Sequence, residues 1–253
     1  MRPIRPAMLA FSVCALVATP ALADDIRLFA TGAVQHSVMD ITAAFEAETG
    51  NKVIATFGTA GAIGKKLEAG EKADIVVSSS GGLKDLKALL VEGDPQVVGR
   101  VRIAIGVKSG APKPDISTPE KLKAVLLAAP NVGYGDPASG ATTGIHFAKV
   151  LDQLGIADQI KPKAVLRDGG ILLMKEVAEG RAVMGFTQST EINAVPGTEI
   201  AGYLPDALQL VSSYAAALTR EGEKNNAAKA LFARIIGAPG TAAFAHAGFE
   251  VKK

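Results

Sequence analysis

The stretch KVIATFGTAGAIGKKLEAGEKADIVVS, Lys52 to Ser78, decides the fold class. Lys52 to Phe57 is a β-rich run that reads as a strand. Gly58-Thr59-Ala60-Gly61 then turns into a helix marked by Ile63 and Leu67. Gly70 stands where a helix C-terminus wants a glycine, and Asp74 to Ser78 is a second apolar strand. Strand, helix and strand in so short a space form a crossover unit, which only a parallel pair of strands requires.

The same unit extends in both directions. Upstream, Ile26 to Ala30 reads as a strand, and Val38, Ile41 and Phe45 recur at helical spacing up to Gly50. Downstream, Leu83, Leu86, Leu89 and Leu90 mark another helix, and Val101 to Val107 another strand. The Pro- and Gly-rich stretch Ser109 to Pro119 reads as a passage between lobes. A second set of units follows it. Thr118-Pro119-Glu120 starts a helix with an N-cap and a first-turn proline, and Asn131 to Tyr134 is a strand. Phe147, Val150, Leu151 and Leu154 make a helical stripe ending at Gly155. Ala164 to Leu166 and Ala182 to Phe186 are short strands around a helix near Leu172 to Glu179. Leu208 to Leu218 and a helix from Asn225 to Ile236 return to the first lobe. The expected division is residues 24–105 and 211–253 in one lobe and 106–210 in the other.

The N-terminus has a different character. Arg2 and Arg5, the apolar run Ala7 to Thr19, and Ala21-Leu22-Ala23 before Asp24-Asp25 have the order of a secretory signal peptide cleaved after Ala23. The whole chain of 253 residues has 27 Lys+Arg against 25 Asp+Glu. Cleavage removes Arg2, Arg5 and the single cysteine, Cys14, so the mature chain is charge-balanced and forms no disulfide. No apolar run after Ala23 approaches the ~20 residues that cross a bilayer. A balanced surface without a basic concentration argues against nucleic acid as a partner. The expectation is a soluble periplasmic monomer.

In open α/β sheets, ligands bind beyond the carboxyl ends of the strands, where loops enter helix N-termini. Four loops there are made of small and hydroxyl residues: Thr31-Gly32-Ala33, Gly58 to Gly61, Ser78 to Gly82 with Ser80 at its centre, and Asp136 to Gly144. Small residues let backbone N–H groups approach a ligand, hydroxyls add donors, and helix N-termini favour negative charge. Each loop taken alone serves equally as a cap or a turn.

The loop after Phe57 fails as a nucleotide P-loop. Five residues separate Gly58 from Gly64, and Lys66 stands where the hydroxyl belongs. Neither a G-x-G-x-x-G fingerprint nor a G-x-S-x-G elbow occurs. His36, His146 and His246 are scattered without metal spacing, so neither a metal nor a cofactor is expected. His146 is read as solvated or as a carboxylate partner. Arg167, in Arg167-Asp168-Gly169-Gly170, is read as a carboxylate clamp or as half of a local ion pair with Asp168. Thr187-Gln188-Ser189-Thr190 is a further polar loop or a helix cap.

These segments together carry a resemblance. RLFATGAV, TFGTAGAIGKKLEAGEKADIVVS, YGDPASGATTGIHFAKVL, GFTQSTEI and the closing GAPGTAAFAHAGFE resemble periplasmic substrate-binding proteins of ABC importers, and most closely the molybdate-binding branch. The resemblance implies a two-lobed, type II binding-protein fold, each lobe a mostly parallel sheet flanked by helices. It also implies a two-stranded hinge and delivery of the ligand to an inner-membrane ABC permease. That branch offers serine hydroxyls at the positions of Ala33 and Ala60 and a tyrosine near Thr187 and Gln188, and all three are absent here.

A small organic carboxylate is therefore the expected ligand, with molybdate or tungstate as the alternative. The expected site comprises Thr31, Gly32, Ala33, Thr59, Ala60, Gly61 and Ser80 from the first lobe. Ser139, Gly140, Thr142, Thr143, His146, Arg167, Gly169 and Gln188 complete it from the second. A non-catalytic receptor is the first reading. A secreted enzyme on the same fold, such as a dehydratase using Asp136, His146 and Asp168 as acid and base, is the competing one.

Overall fold

The computed structural model describes residues 25–93 and 95–252, so the expected signal peptide lies outside the described residues. The first lobe begins with β1 (Asp25–Thr31), α1 (Gln35–Thr49), β2 (Lys52–Gly58), α2 (Ala60–Glu68), β3 (Ile75–Ser79) and α3 (Ser80–Asp85). β1 lies between β2 and β3, parallel to both. The β-α-β reading of Lys52 to Ser78 is therefore the observed one. The leucine-rich helix after Ser80 is shorter than the leucine spacing predicts: α3 ends at Asp85, and Lys87–Leu89 continues as a 3-10 turn.

β4 (Gln96–Lys108) is the longest strand and joins the lobes. Gln96 to Arg102 pair with β9 (Val211–Leu218), which in turn pairs with β3, both antiparallel. From Ile103 onward β4 changes partners to lie between β7 (Gly185–Gln188) and β8 (Thr198–Tyr203). The first crossing thus lies inside a strand, between Arg102 and Ile103. Ser109 to Pro119 does not form the passage expected of it; Ser109 N–H bonds to Gly197 O at 2.9 Å, on the edge of the second lobe.

The return crossing runs through Gln209, whose carboxamide accepts from Ile103 N–H at 2.9 Å and donates to Ile103 O at 3.0 Å. The two crossing segments are pinned side by side.

The second lobe contains α4 (Pro119–Ala128), β5 (Val132–Gly135), α5 (Thr142–Gln153), α6 (Ala157–Ile160), β6 (Ala164–Arg167), α7 (Gly170–Ala178) and α8 (Ser189–Asn193), with β7, β5 and β6 parallel. α9 (Asn226–Ile236) and α10 (Ala238–His246) then pack on the first lobe beside α1.

Each lobe has its own core. Val38, Ile41 and Phe45 of α1 join Ile26, Leu28, Leu231 and Phe244 in one. In the other, Phe147 of α5 stacks on Phe186 at 3.8 Å between ring centroids and tilts against Tyr134 at 5.1 Å. Aromatic burial of this kind fixes α5 against β5 and β7, so its first turn is held rigidly at the cleft. Gly144 permits the close approach, since a methyl there would collide with Gly135 O.

Candidate functional site

The carboxyl ends of β1, β2, β3, β5 and β7 converge between the lobes on a small cavity of about 30 Å³. Thr31, Gly32, Ala33, Gly58, Thr59, Ala60 and Ser79 line it from the first lobe, with Tyr214 from β9. Ala141, Thr142, Thr143, Gly169, Gly170, Gln188 and Glu191 line it from the second lobe. That space holds about two waters. Two wider spaces adjoin it. One, of about 480 Å³, shares Ala60, Ser79 and Thr142 and includes Gly61, Gly140 and His146. The other, of about 250 Å³, shares Gly32, Gly58, Gly169, Gly170 and Glu191 and includes Gln35, Asp168 and Lys175.

α2 and α5 start at the cavity, so their first-turn amides lack intrahelical partners and their dipoles favour an anion. Thr59 N-caps α2, accepting from Ala62 N–H at 3.0 Å, while its own hydroxyl donates to Ser139 O at 2.5 Å. Gly61 N–H reaches Gly140 O at 3.3 Å. These bonds run from one lobe to the other. Gly140 has φ of 73°, and the left-handed turn it allows brings this carbonyl to the cleft.

Two buried polar side chains facing the cavity carry an unpartnered atom. Thr31, 5% exposed, has no bond at Oγ1, and Gln188, 1% exposed, has none at Oε1. Gln188 Nε2 donates to Ser212 Oγ at 3.0 Å and to the Tyr214 hydroxyl at 3.4 Å. Both hydroxyls also donate, so the carboxamide can turn either its carbonyl or its NH2 group toward a ligand. An unmet buried polar atom costs about 1–3 kcal/mol, which a ligand in the cavity relieves.

Glu191 is the one carboxyl among the residues that line the central cavity, and it is 6% exposed. Burial pushes it above the usual carboxylate range; the Thr187 hydroxyl and the backbone N–H groups of Gln188 and Gly170, which favour the ionised form, offset this in part. Tyr214, 3% exposed, is pushed up as well, first by burial and then by the negative charge of Glu191.

The sequence-predicted residues divide by position. Thr31, Gly32, Ala33, Thr59, Ala60, Thr142, Thr143, Gly169 and Gln188 line the central cavity, and Gly61, Gly140 and His146 line the wider outer space. His146 Nε2 bonds to Leu208 O at 2.8 Å.

Arg167 is not among the lining residues. Its Nε lies 3.1 Å from Glu176 Oε1 and its Nη1 donates to Leu166 O at 2.7 Å, because Glu176 on the following helix offers a partially buried carboxylate nearer than the cleft. Ser80 is the first residue of α3 and is not among the lining residues; Ser79, the last residue of β3 and the N-cap of α3, lines the cavity instead. Ser139 contributes its carbonyl to the cross-lobe bond, and its hydroxyl donates to Asp136 O at 2.8 Å. Of the candidate acids and bases, Asp136 caps Ala138 N–H at 2.9 Å, and Asp168 lines only the adjoining 250 Å³ space.

Sequence reasoning missed Glu191 and Tyr214. Glu191 carried a signal, since it is the third residue of a helix whose N-cap is Gln188, where a glutamate folds back on the cap. Tyr214 carried none: it arrives from a strand remote in sequence and returns a tyrosine hydroxyl to a cavity whose local loop lacks one.

Among the described residues, no helix is long and apolar enough to cross a membrane, and no group of three or more His, Cys, Asp or Glu is placed to hold a metal ion.

Comparison with known proteins follows the same lines. The chain is 33% identical over 239 residues, 88% of each chain, to an aconitate isomerase of a Pseudomonas species. It is 25% identical over 243 residues, 93% of each, to the molybdate-binding protein ModA of Escherichia coli (strain K12). The structure of the periplasmic molybdate-binding protein of Azotobacter vinelandii superimposes with a TM-score of 0.74 at 15% identity, over 90% of this chain and all of that one. Residues 26–250 match the model of the bacterial extracellular solute-binding proteins, and with its two lobes and interlobe cavity this chain belongs to that family.

Proposed function

We propose that the mature protein, residues 24–253, captures a small organic carboxylate between its lobes in the periplasm and delivers it, as a monomer, to an inner-membrane ABC permease. The observation that carries this reading is the donor inventory of the cavity. Ala33 and Ala60 offer no hydroxyl, Thr59 has spent its own on Ser139, and no cationic side chain lines the central space. Thr31, the first-turn amides of α5, Gln188 and Tyr214 remain, because Gly61 N–H is bonded to Gly140 O and Ala62 N–H to Thr59. A carboxylate head has two oxygens to satisfy, whereas a tetrahedral dianion has four, each costing about 1–3 kcal/mol if buried unmet. Glu191, which burial shifts toward its protonated form, adds one donor for a carboxylate oxygen.

Binding across both lobes is what shifts the open and closed populations, and the cross-lobe bonds of Thr59 and Gly61 define the closed form. A thermal-shift screen against mono-, di- and tricarboxylates, molybdate, tungstate, sulfate and phosphate tests the reading. A carboxylate at 100 times its Kd adds about 2.7 kcal/mol of stability, while a shift with molybdate or tungstate alone rejects it.

A second reading, an enzyme on the same fold, is favoured by one observation: a buried carboxyl stands inside the ligand cavity of a chain related to a protein named aconitate isomerase.

A further inference from the structure

We propose that the ligand is a 2-hydroxycarboxylate, an acid with a hydroxyl on the carbon next to its carboxylate, and that Gln188 Oε1 accepts a hydrogen bond from that hydroxyl. The proposal rests on the reading of the cavity as a carboxylate site and narrows it to one class of acid.

Among the described residues, three buried side-chain atoms have no hydrogen-bond partner: Thr31 Oγ1, Gln188 Oε1 and Thr190 Oγ1. Thr31 and Gln188 line the same central cavity, one from each lobe, and Thr190 does not. The two atoms need different things. A threonine hydroxyl donates to an anion, whereas a carboxamide oxygen can only accept. A carboxylate alone therefore satisfies Thr31 and leaves Gln188 facing a second acceptor. The complement of the pair is an anionic oxygen together with an O–H group.

β9 sets the sense of the Gln188 carboxamide. Its Nε2 donates to Ser212 Oγ at 3.0 Å and to the Tyr214 hydroxyl at 3.4 Å, which occupies both N–H groups. The two hydroxyls would permit the reverse sense, but both N–H groups would then face the cavity, and two unmet donors cost more than one unmet acceptor. The observed sense also leaves the Tyr214 O–H proton for the carboxylate, and burial keeps that proton in place.

The size of the cavity places the hydroxyl on the acid. A space of about 30 Å³ lined by both Thr31 and Gln188 leaves no room for a chain between anion and donor, so the two stand on neighbouring carbons. The rest of the acid extends into the adjoining spaces of about 480 and 250 Å³. An ammonium group in place of the hydroxyl would bring three donors. It would find one open acceptor, because the Glu191 carboxyl already accepts from Thr187 and from the N–H groups of Gln188 and Gly170.

The test is titration calorimetry of the mature protein, residues 24–253, with two sets of acids that differ at the second carbon. One set is lactate, pyruvate, alanine and propionate; the other is 2-hydroxyglutarate, 2-oxoglutarate, glutamate and glutarate. In a set that binds, the hydroxy acid should bind about tenfold or more tighter than the unsubstituted acid, since a site that pairs a ligand hydroxyl rejects the analogue without it. It should exceed the oxo acid by a similar factor, because that acid brings an acceptor to an acceptor. Gln188→Leu should keep binding and bring the hydroxy, oxo and unsubstituted acids within about threefold of one another. Should Gln188→Leu not fold, the comparison of hydroxy with oxo acid on wild type reads the sense of the carboxamide without any substitution.

Equal affinity within the sets, or tighter binding of an oxo or amino acid, overturns the proposal and leaves carboxylate capture standing. Stabilisation by acids that lack a 2-hydroxyl, with neither hydroxy acid bound, does the same. A hydroxyl preference that survives Gln188→Leu overturns the assignment to Gln188. Failure of every carboxylate to bind overturns both the capture reading and the class built on it.

Discussion

Thr59 Oγ1 donates to the Ser139 carbonyl across the cleft at 2.5 Å while accepting from Ala62 N–H in its own lobe. One hydroxyl therefore fixes the start of α2 and ties it to the loop before α5. The two helix N-termini that face the cavity are held in register by the contact that closes it, which couples lobe closure to the formation of the site.

The neighbouring Gly61 and Gly140 give the sharpest test of closure. A methyl group on Gly61 would lie 2.7 Å from Gly140 Cα and 3.0 Å from Ser139 O, both backbone atoms that have no rotamer to yield. Gly61→Ala should leave the ligand-free melting temperature within about 2 °C, reduce ligand affinity more than tenfold, and abolish the decrease in radius of gyration that the account predicts on ligand binding, measured by small-angle scattering. An affinity within twofold of wild type would show that closure here is not part of binding.

Thr31 should separate stability from affinity. Its buried Oγ1 has no partner, so Thr31→Val removes an unmet polar atom and should leave the ligand-free protein as stable or about 1 kcal/mol more stable. The same change deletes a donor to the ligand and should weaken binding about 5- to 10-fold, or about 1 kcal/mol. Calorimetric melting together with titration calorimetry measures both, and a loss of stability without a loss of affinity would contradict the assignment.

Arg167 is expected to be silent in binding. Glu176 holds its guanidinium, and Arg181 first and Arg167 second pull the Glu176 carboxyl down to about 2. Arg167→Ala should leave ligand affinity within twofold. A tenfold loss would restore Arg167 as a clamp.

The two carboxyls impose opposite pH dependences. Glu176 is depressed, so its contribution is present above 4.5, the ordinary glutamate value, and is lost as pH falls toward about 2. Glu191 is raised, so its contribution is present below 4.5 and is lost as pH rises from there through its elevated folded value. Relative to wild type, Glu191→Gln should gain stability progressively as pH rises above 4.5, and denaturation midpoints measured from pH 4 to 9 would show the difference widening. A constant difference across that range would mean that Glu191 titrates normally.

What the sequence made legible follows from how local each feature is. β1, β2 and the helices α1, α2 and α5 are set by apolar periods and glycine stops within a few residues of themselves. β4 was read only from Val101 because Gln96, Val97 and Arg100 are exposed on its first half, which breaks the apolar run. β8 has no fully buried residue and so no alternation to read, and α10 opens with Ala-Pro-Gly, which looks like a turn. In the site, the glycine and hydroxyl loops announced themselves. Arg167 misled because Glu176, which claims it, is brought near only by the turn of α7. Glu191 looked like a cap, and it does accept the Gln188 N–H; its second position, inside the cavity, depends on Gly32 from the opposite lobe.

Titration calorimetry of residues 24–253 with trans-aconitate and with molybdate, under identical conditions, tests most directly the claim that the interlobe cavity is a carboxylate site. The account predicts saturable one-to-one binding of the carboxylate, weakened by Thr31→Val and by Gly61→Ala, and no measurable heat from molybdate. Tight molybdate binding with no carboxylate binding would contradict it and return the cavity to a tetrahedral oxyanion.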